Sequence, residues 1–200
     1  SDNDMICGPK SSSSLIFFVR FPSLNQIFDD FSNQQNENIT ELEEIIKESA
    51  ELNDNLKEIN RELKREDRMT WEQRKKIDAS LEKQKNIQEK LEEIQKELEE
   101  NIEKLKKNQL FSIEILEKYH QLQDLFQQIV TPELLEAMEE LKKLLDKVNQ
   151  KKINKSIEDF QLDQKQLLEK LEQSLELFKK VKVEQELDRL VQMAKEMSEE

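Results

Sequence analysis

The stretch from Thr70 to Val130 constrains the fold of this chain most strongly, because it contains neither Gly nor Pro. Its apolar residues recur at steps of three and four, which places them along one side of an α-helix. One helix over this range would be about 90 Å long at a rise of about 1.5 Å per residue. So long a helix with a narrow apolar stripe needs partner helices, so we predict coiled-coil packing. The apolar positions are Ile77, Leu81, Ile87, Leu91, Ile94, Leu98, Leu105, Ile113, Leu116, Tyr119, Leu122, Phe126 and Ile129.

The high charged fraction agrees with long helices, and the negative net charge bears on which partners the chain can bind. Charged residues make up 38% of the chain and hydrophobic residues 35%, a balance found in long helices and in disordered chains. The periodic apolar spacing favours helices. A net charge of -13 argues against nucleic acid as a partner, since phosphate binding requires a basic face. No apolar run approaches the roughly 20 residues of a membrane-spanning helix.

Residues 1–22 differ from the rest and are predicted to be the end of a β-rich domain. Gly8 and Pro9 indicate a turn, and the run at 15–21 (LIFFVRF) carries apolar residues on both faces, as a covered strand does. A lone strand is unstable in water. The strand therefore either completes a sheet formed by upstream sequence or packs on the helices.

Residues 23–200 are predicted to be a helical coiled-coil domain with helices at about 24–65, 71–130, 132–149 and 155–198. The first helix has a heptad core that begins at Leu24 and includes the polar residues Gln35, Asn38 and Ser49. Those polar positions either fix the register or mark weakly packed heptads.

The helix boundaries carry recognisable signals. Thr70 and Gln73 form the pattern of a capping box, and Thr131 followed by Pro132 indicates a new helix. The first two helices are then an antiparallel hairpin, and the last helix, whose apolar residues continue to Met197, folds back along the second. The predicted fold is all-α: elongated antiparallel coiled-coil hairpins preceded by one β-strand.

The sequence contains no convincing catalytic, metal or cofactor site. His120 is the only histidine and Cys7 the only cysteine, so neither has the companions that a zinc site or a thiol nucleophile requires. The sequence around Asp2 and Asp4 lacks the spacing of an EF-hand calcium loop. We therefore predict a protein that is not an enzyme and binds neither metal nor cofactor.

The candidate interaction surface combines Trp71 with the wide apolar face of the last two predicted helices. Trp71 covers the hairpin turn or serves as a recognition anchor. The apolar face is broad enough for two neighbours, so part of it could form a groove for a partner helix. Its candidate residues are Leu134, Leu135, Met138, Leu141, Leu145 and Phe178.

Residues 1–24 contain a series of short motifs, Asp2-Asn3-Asp4, Gly8-Pro9-Lys10 and Phe18 to Leu24. Together with the segments that begin at Thr131 and Leu162, this series resembles a family of large, uncharacterised, membrane-anchored envelope proteins of Gram-negative bacteria. In that family a β-rich extracytoplasmic part precedes a long coiled coil rich in Glu, Lys and Gln. The resemblance implies an extracytoplasmic location and a membrane tether upstream of this chain, and it implies no catalytic residues.

Two classes of function follow from these observations. The first is a structural or tethering scaffold of the bacterial cell envelope. The second is a binding module that offers an apolar groove to a partner helix. A polar coiled coil that forms only as a homo-oligomer is a third option.

Overall fold

The computed structural model describes residues 24–66, 68–108, 112–129, 131–147 and 150–199. Over those residues the α-helix is the only regular secondary structure, which confirms the all-α class. The strand predicted at 15–21 lies outside the described residues. The chain divides into two compact units, Ser1–Asp30 and Phe31–Glu200, and the division falls within the first helix. The helices are α1 (Leu24–Arg65), α2 (Trp71–Asn108), α3 (Ile113–Gln127), α4 (Pro132–Lys147) and α5 (Gln150–Glu199).

Helices α1 and α2 form an antiparallel hairpin, as predicted. Ion pairs between them join Glu48 to Lys90 at 3.2 Å and Glu62 to Lys76 at 3.2 Å. Residue numbers rise along α1 as they fall along α2, which defines the antiparallel register.

Both predicted capping signals are confirmed. At the start of α2 the Thr70 backbone N–H donates to Gln73 Oε1 at 2.9 Å, and the Gln73 N–H donates to Thr70 Oγ1 at 3.2 Å. At the start of α4 the Leu134 N–H donates to Thr131 Oγ1 at 3.3 Å. These bonds satisfy amide groups that have no partner within the first turn of a helix.

The prediction of one helix over 71–130 is wrong, because α2 ends at Asn108 and α3 starts at Ile113. Lys106 and Lys107 occupy the last turn of α2, where positive charge interacts favourably with the helix dipole. Ser112 is extended, with φ -62° and ψ 158°, at the N-cap of α3. Helix α3 then packs against α2 and α5.

Helix α5 begins at Gln150, within the segment predicted as a connector, because Ile153 is fully buried and extends the apolar spacing by one turn. It lies antiparallel to α1, with ion pairs from Lys64 to Glu158 and from Glu43 to Lys179. It is therefore parallel to α2. The sequence predicts that the helix over 155–198 folds back along 71–130. The structure shows this for α3, which is antiparallel to α5, but not for α2.

Residues 31–200 thus form a four-helix bundle with up-down-up-down connections, in which α3 and α4 together make the third column. Helix α4 is antiparallel to α2, since Arg74 pairs with Asp146 while Gln88 contacts Met138. In α1, α2 and α5 the main series of buried residues is spaced alternately by four and three positions, the heptad spacing of bundle cores. In α1 this series is Phe31, Gln35, Asn38, Leu42, Ile45, Ser49, Leu52, Leu56, Ile59 and Leu63, and Asn53 and Asn60 beside it are also buried.

We expect Thr70→Ala to lower the free energy of unfolding by about 1 kcal/mol, the usual cost of a lost N-cap. Urea denaturation followed by circular dichroism measures the change. Thr40→Ala is the matched control, because the Thr40 hydroxyl bonds only to the Asn36 carbonyl one turn earlier on an exposed helix face. Equal effects of the two substitutions would contradict the capping role.

Candidate interaction surfaces

The candidate surface residues fall into two groups. Trp71 is 76% exposed, with Lys75 Nζ 5.5 Å from its ring centroid, so it does not form a buried lid over the turn. Leu135 is 46% exposed and Met138 is half-buried. The remaining residues lie in the bundle core and are not available to a partner in the folded chain; they are Leu134, Leu141, Leu145 and Phe178.

Leu135 and Met138 line an open groove between α2 and α4 of about 560 Å³. Leu81 and Gln88 form the α2 side, and Gln88 Nε2 lies 3.6 Å from Met138 Sδ. The surrounding residues carry both signs of charge; they are Asp78, Glu82, Lys85, Glu139 and Lys142. The groove is therefore apolar at its base and mixed in charge at its edges.

A buried polar layer joins three columns of the bundle. Tyr119 of α3 accepts hydrogen bonds from Gln35 Nε2 of α1 and, at 3.0 Å, from Gln185 Nε2 of α5. Gln35 Nε2 also donates to Gln185 Oε1 at 2.6 Å. The ring of Phe31 packs edge-on against Tyr119, with centroids 5.9 Å apart. The sequence identified Gln35 as a polar core position but did not identify these partners.

Burial raises the pKa of Tyr119, while its hydrogen bonds to Gln185 and Gln35 act in the opposite direction. The desolvation effect is larger, because the phenolate would be formed within an apolar core. The phenol therefore stays protonated in the folded chain at pH values where a solvated tyrosine ionises.

A second exposed apolar zone lies near the end of α5. Val183, Leu187, Leu190 and Met197 are 56%, 57%, 61% and 79% exposed, and Ala194 between them is also exposed. We call these five residues the outer stripe. The apolar spacing of the sequence predicts Leu187, Leu190, Ala194 and Met197 as a continuation of the packed face, and the structure places them on the surface. The signal in the sequence is the spacing: Val183 and Leu187 lie two positions after the core residues Val181 and Gln185, which places them on the opposite side of the helix.

The described part of the chain offers little support for a metal site, a membrane span or a site built on the only histidine. It contains no cluster of His, Cys, Asp and Glu side chains arranged to hold a metal ion. None of its helices is both long and apolar enough to cross a membrane. His120 is exposed on α3, and the Cys7 and Asp2–Asp4 candidates lie outside the described residues.

Comparisons with protein-family models, with curated proteins and with solved structures give no match.

We expect Tyr119→Phe to lower the free energy of unfolding by about 1–3 kcal/mol, because Gln35 and Gln185 lose a buried acceptor. Urea denaturation measures the loss. Replacing all three residues together, Gln35→Leu, Tyr119→Phe and Gln185→Leu, should recover stability, since no buried donor then lacks a partner. An unchanged stability of Tyr119→Phe would contradict the proposed layer.

We also expect stability to fall as the pH rises above about 10, the ordinary pKa of tyrosine. A folded-state pKa above the unfolded value means that the folded chain binds more protons in this range, so alkali favours unfolding. Tyr119 is the only tyrosine, so tyrosinate absorbance reports this group alone. The folded chain should show no tyrosinate where the urea-unfolded chain shows it fully. Coincident tyrosinate titrations of the folded and the urea-unfolded chain would contradict burial of the phenol. The pH dependence of the stability of the Tyr119→Phe variant gives the part that is due to lysine titration.

Proposed function

We propose that this chain is a non-enzymatic structural scaffold, a helical bundle that holds the segments or partners attached to it at a fixed separation. One observation carries the proposal. Most of the apolar positions on the inner sides of the four columns are buried within a single chain, from Phe31 to Leu63 in α1 and from Ile153 to Gln185 in α5. Neighbouring columns are also joined by ion pairs on their outer faces, such as Glu51 with Lys83. A bundle that completes its own core keeps its dimensions without a partner, as a spacer requires.

The proposed setting is the extracytoplasmic side of a membrane-anchored bacterial envelope protein. This part of the proposal rests on the resemblance of residues 1–24 and of the later helical segments to that family. The attached partner would be a protein, reached through the helix faces, and the strong negative charge disfavours nucleic acid.

The groove between α2 and α4 favours a second function, that of a binding module. Leu135 and Met138 expose apolar surface along one helix face, the arrangement that accepts an amphipathic helix. Under this hypothesis Leu135→Asp leaves the bundle folded and removes binding of the partner helix. Under the scaffold hypothesis the same substitution leaves the spacing function unchanged.

We expect a single narrow distance distribution between spin labels placed at Glu117 of α3 and Glu140 of α4, on either side of the only break within a column of the described bundle. Both side chains are exposed, so labelling should not disturb the core. The full chain with Cys7→Ser and cysteines at these two positions is measured by double electron–electron resonance. A second pair at Glu58 and Glu176 controls for the α1–α5 packing. A broad distribution for the first pair alone would reveal a hinge and overturn the scaffold proposal.

A further inference from the structure

The outer stripe has the spacing of a coiled-coil seam. Val183, Leu187, Leu190, Ala194 and Met197 follow one another at steps of four, three, four and three. Alternating steps of this kind occupy the a and d positions of a heptad, with Leu187 and Ala194 at a. The neighbouring Val191 and Met193, at e and g, widen the seam and are 51% and 43% exposed.

The outer stripe faces away from the bundle. Each of its first members lies two positions after a core residue, Val183 after Val181 and Leu187 after Gln185, and two positions correspond to about 200° around a helix. Val181 and Gln185 are buried, whereas the next positions at core spacing are Asp188, Gln192 and Lys195. Val183 and Leu187 therefore lie on the side of α5 opposite the core, and after Arg189 all described side chains of α5 are exposed, with the apolar ones continuing the same stripe.

We infer that the outer stripe is a pairing surface for a second copy of this chain, aligned parallel and in register. This inference rests on the proposed scaffold function and names a partner for it. In the parallel pair Leu187 meets Leu187 of the second copy, Leu190 meets Leu190, and Met197 meets Met197. A two-fold axis along the seam makes such an interface self-complementary.

Charge is the reason for choosing a second copy as the occupant. The chain has a net charge of -13, so two copies repel each other overall and pair most favourably where few acids lie in the interface. The flanks of the outer stripe are different. In parallel register, g positions face e positions of the other helix, which places Glu186 opposite Val191 and Met193 opposite Ser198. No acid therefore faces an acid at these positions. A partner helix with charged e and g positions would have no opposite charge to pair with at Val191 or Met193.

The pairing surface is short but preformed. Residues 183–197 span about 22 Å of helix at 1.5 Å per residue, less than a free coiled coil needs for stability. Here α5 is anchored up to Gln185 by its packing on α1 and α3 and continues as helix to Glu199, so pairing does not bear the cost of nucleating the helix. A reversible dimer follows, with an interface at the small end of specific complexes.

Analytical ultracentrifugation of the full chain with Cys7→Ser tests the inference. The mean mass should rise with concentration from one chain mass towards two across the micromolar range. Leu187→Glu combined with Leu190→Glu should remain one chain mass throughout, because four carboxylates would then meet in the seam. Leu162→Glu is the matched control, since Leu162 lies on the same helix, is 57% exposed and is outside the stripe; it should pair as the parent does.

Three further variants test the register and direction of the pairing. Leu190→Lys and Leu190→Glu should each be monomeric alone and form a heterodimer when mixed, which requires the two positions to meet. Met197→Cys should form a disulfide with its own copy only if the helices are parallel. A monomer at every concentration, or a dimer that Leu187→Glu with Leu190→Glu leaves intact, overturns the inference. Spin-label distances measured in the monomeric variant test the scaffold separately, so the two proposals can fail independently.

Discussion

The alternation of buried positions by four and three residues is the constraint on which this structure depends. In α1 it runs from Phe31 to Leu63, and in α5 from Ile153 to Gln185. Each helix therefore presents one side to the common core and leaves the other side to charged residues. The ion pairs between columns are largely exposed, and such pairs contribute about 0–1 kcal/mol each. Burial of the apolar positions accordingly supplies most of the stabilisation, and the ion pairs follow the register that burial establishes.

The core is not uniformly apolar, and its polar positions bear on specificity. Gln35, Tyr119 and Gln185 satisfy one another across three columns, which only one register of α1, α3 and α5 permits. Other buried amides are costly: Gln84 and Gln164 are fully buried, and neither side-chain amide has a hydrogen-bond partner among the described residues. An unsatisfied buried group costs about 1–3 kcal/mol. The bundle is therefore less stable than its apolar burial suggests, and the layer around Tyr119 adds specificity to the register that apolar burial establishes.

The two exposed apolar zones differ in what surrounds them. The groove beside Leu135 lies between two helices and is bordered by both signs of charge, whereas the outer stripe belongs to a single helix whose flanks at 191 and 193 are apolar. The first suits an amphipathic helix of another protein, and the second suits a copy of itself. A dimer that forms through the outer stripe of α5 would contain two bundles and therefore two grooves of the kind beside Leu135.

The sequence by itself determined the helical class, the bounds of α1 and the caps at Thr70 and Thr131, because spacing and capping are local properties of the chain. It also located the core face of α1, including Gln35. It did not divide the range 71–130 into α2, which ends at Asn108, and α3, which begins at Ile113, because no Gly or Pro lies between them. It also could not tell that Leu134 is buried and Leu135 exposed. Only the tertiary structure decided those points, because the partner of an apolar face is set by how columns distant in sequence pack. The same reason explains why the apolar residues of 183–197 look like core in the sequence and lie on the surface of the bundle.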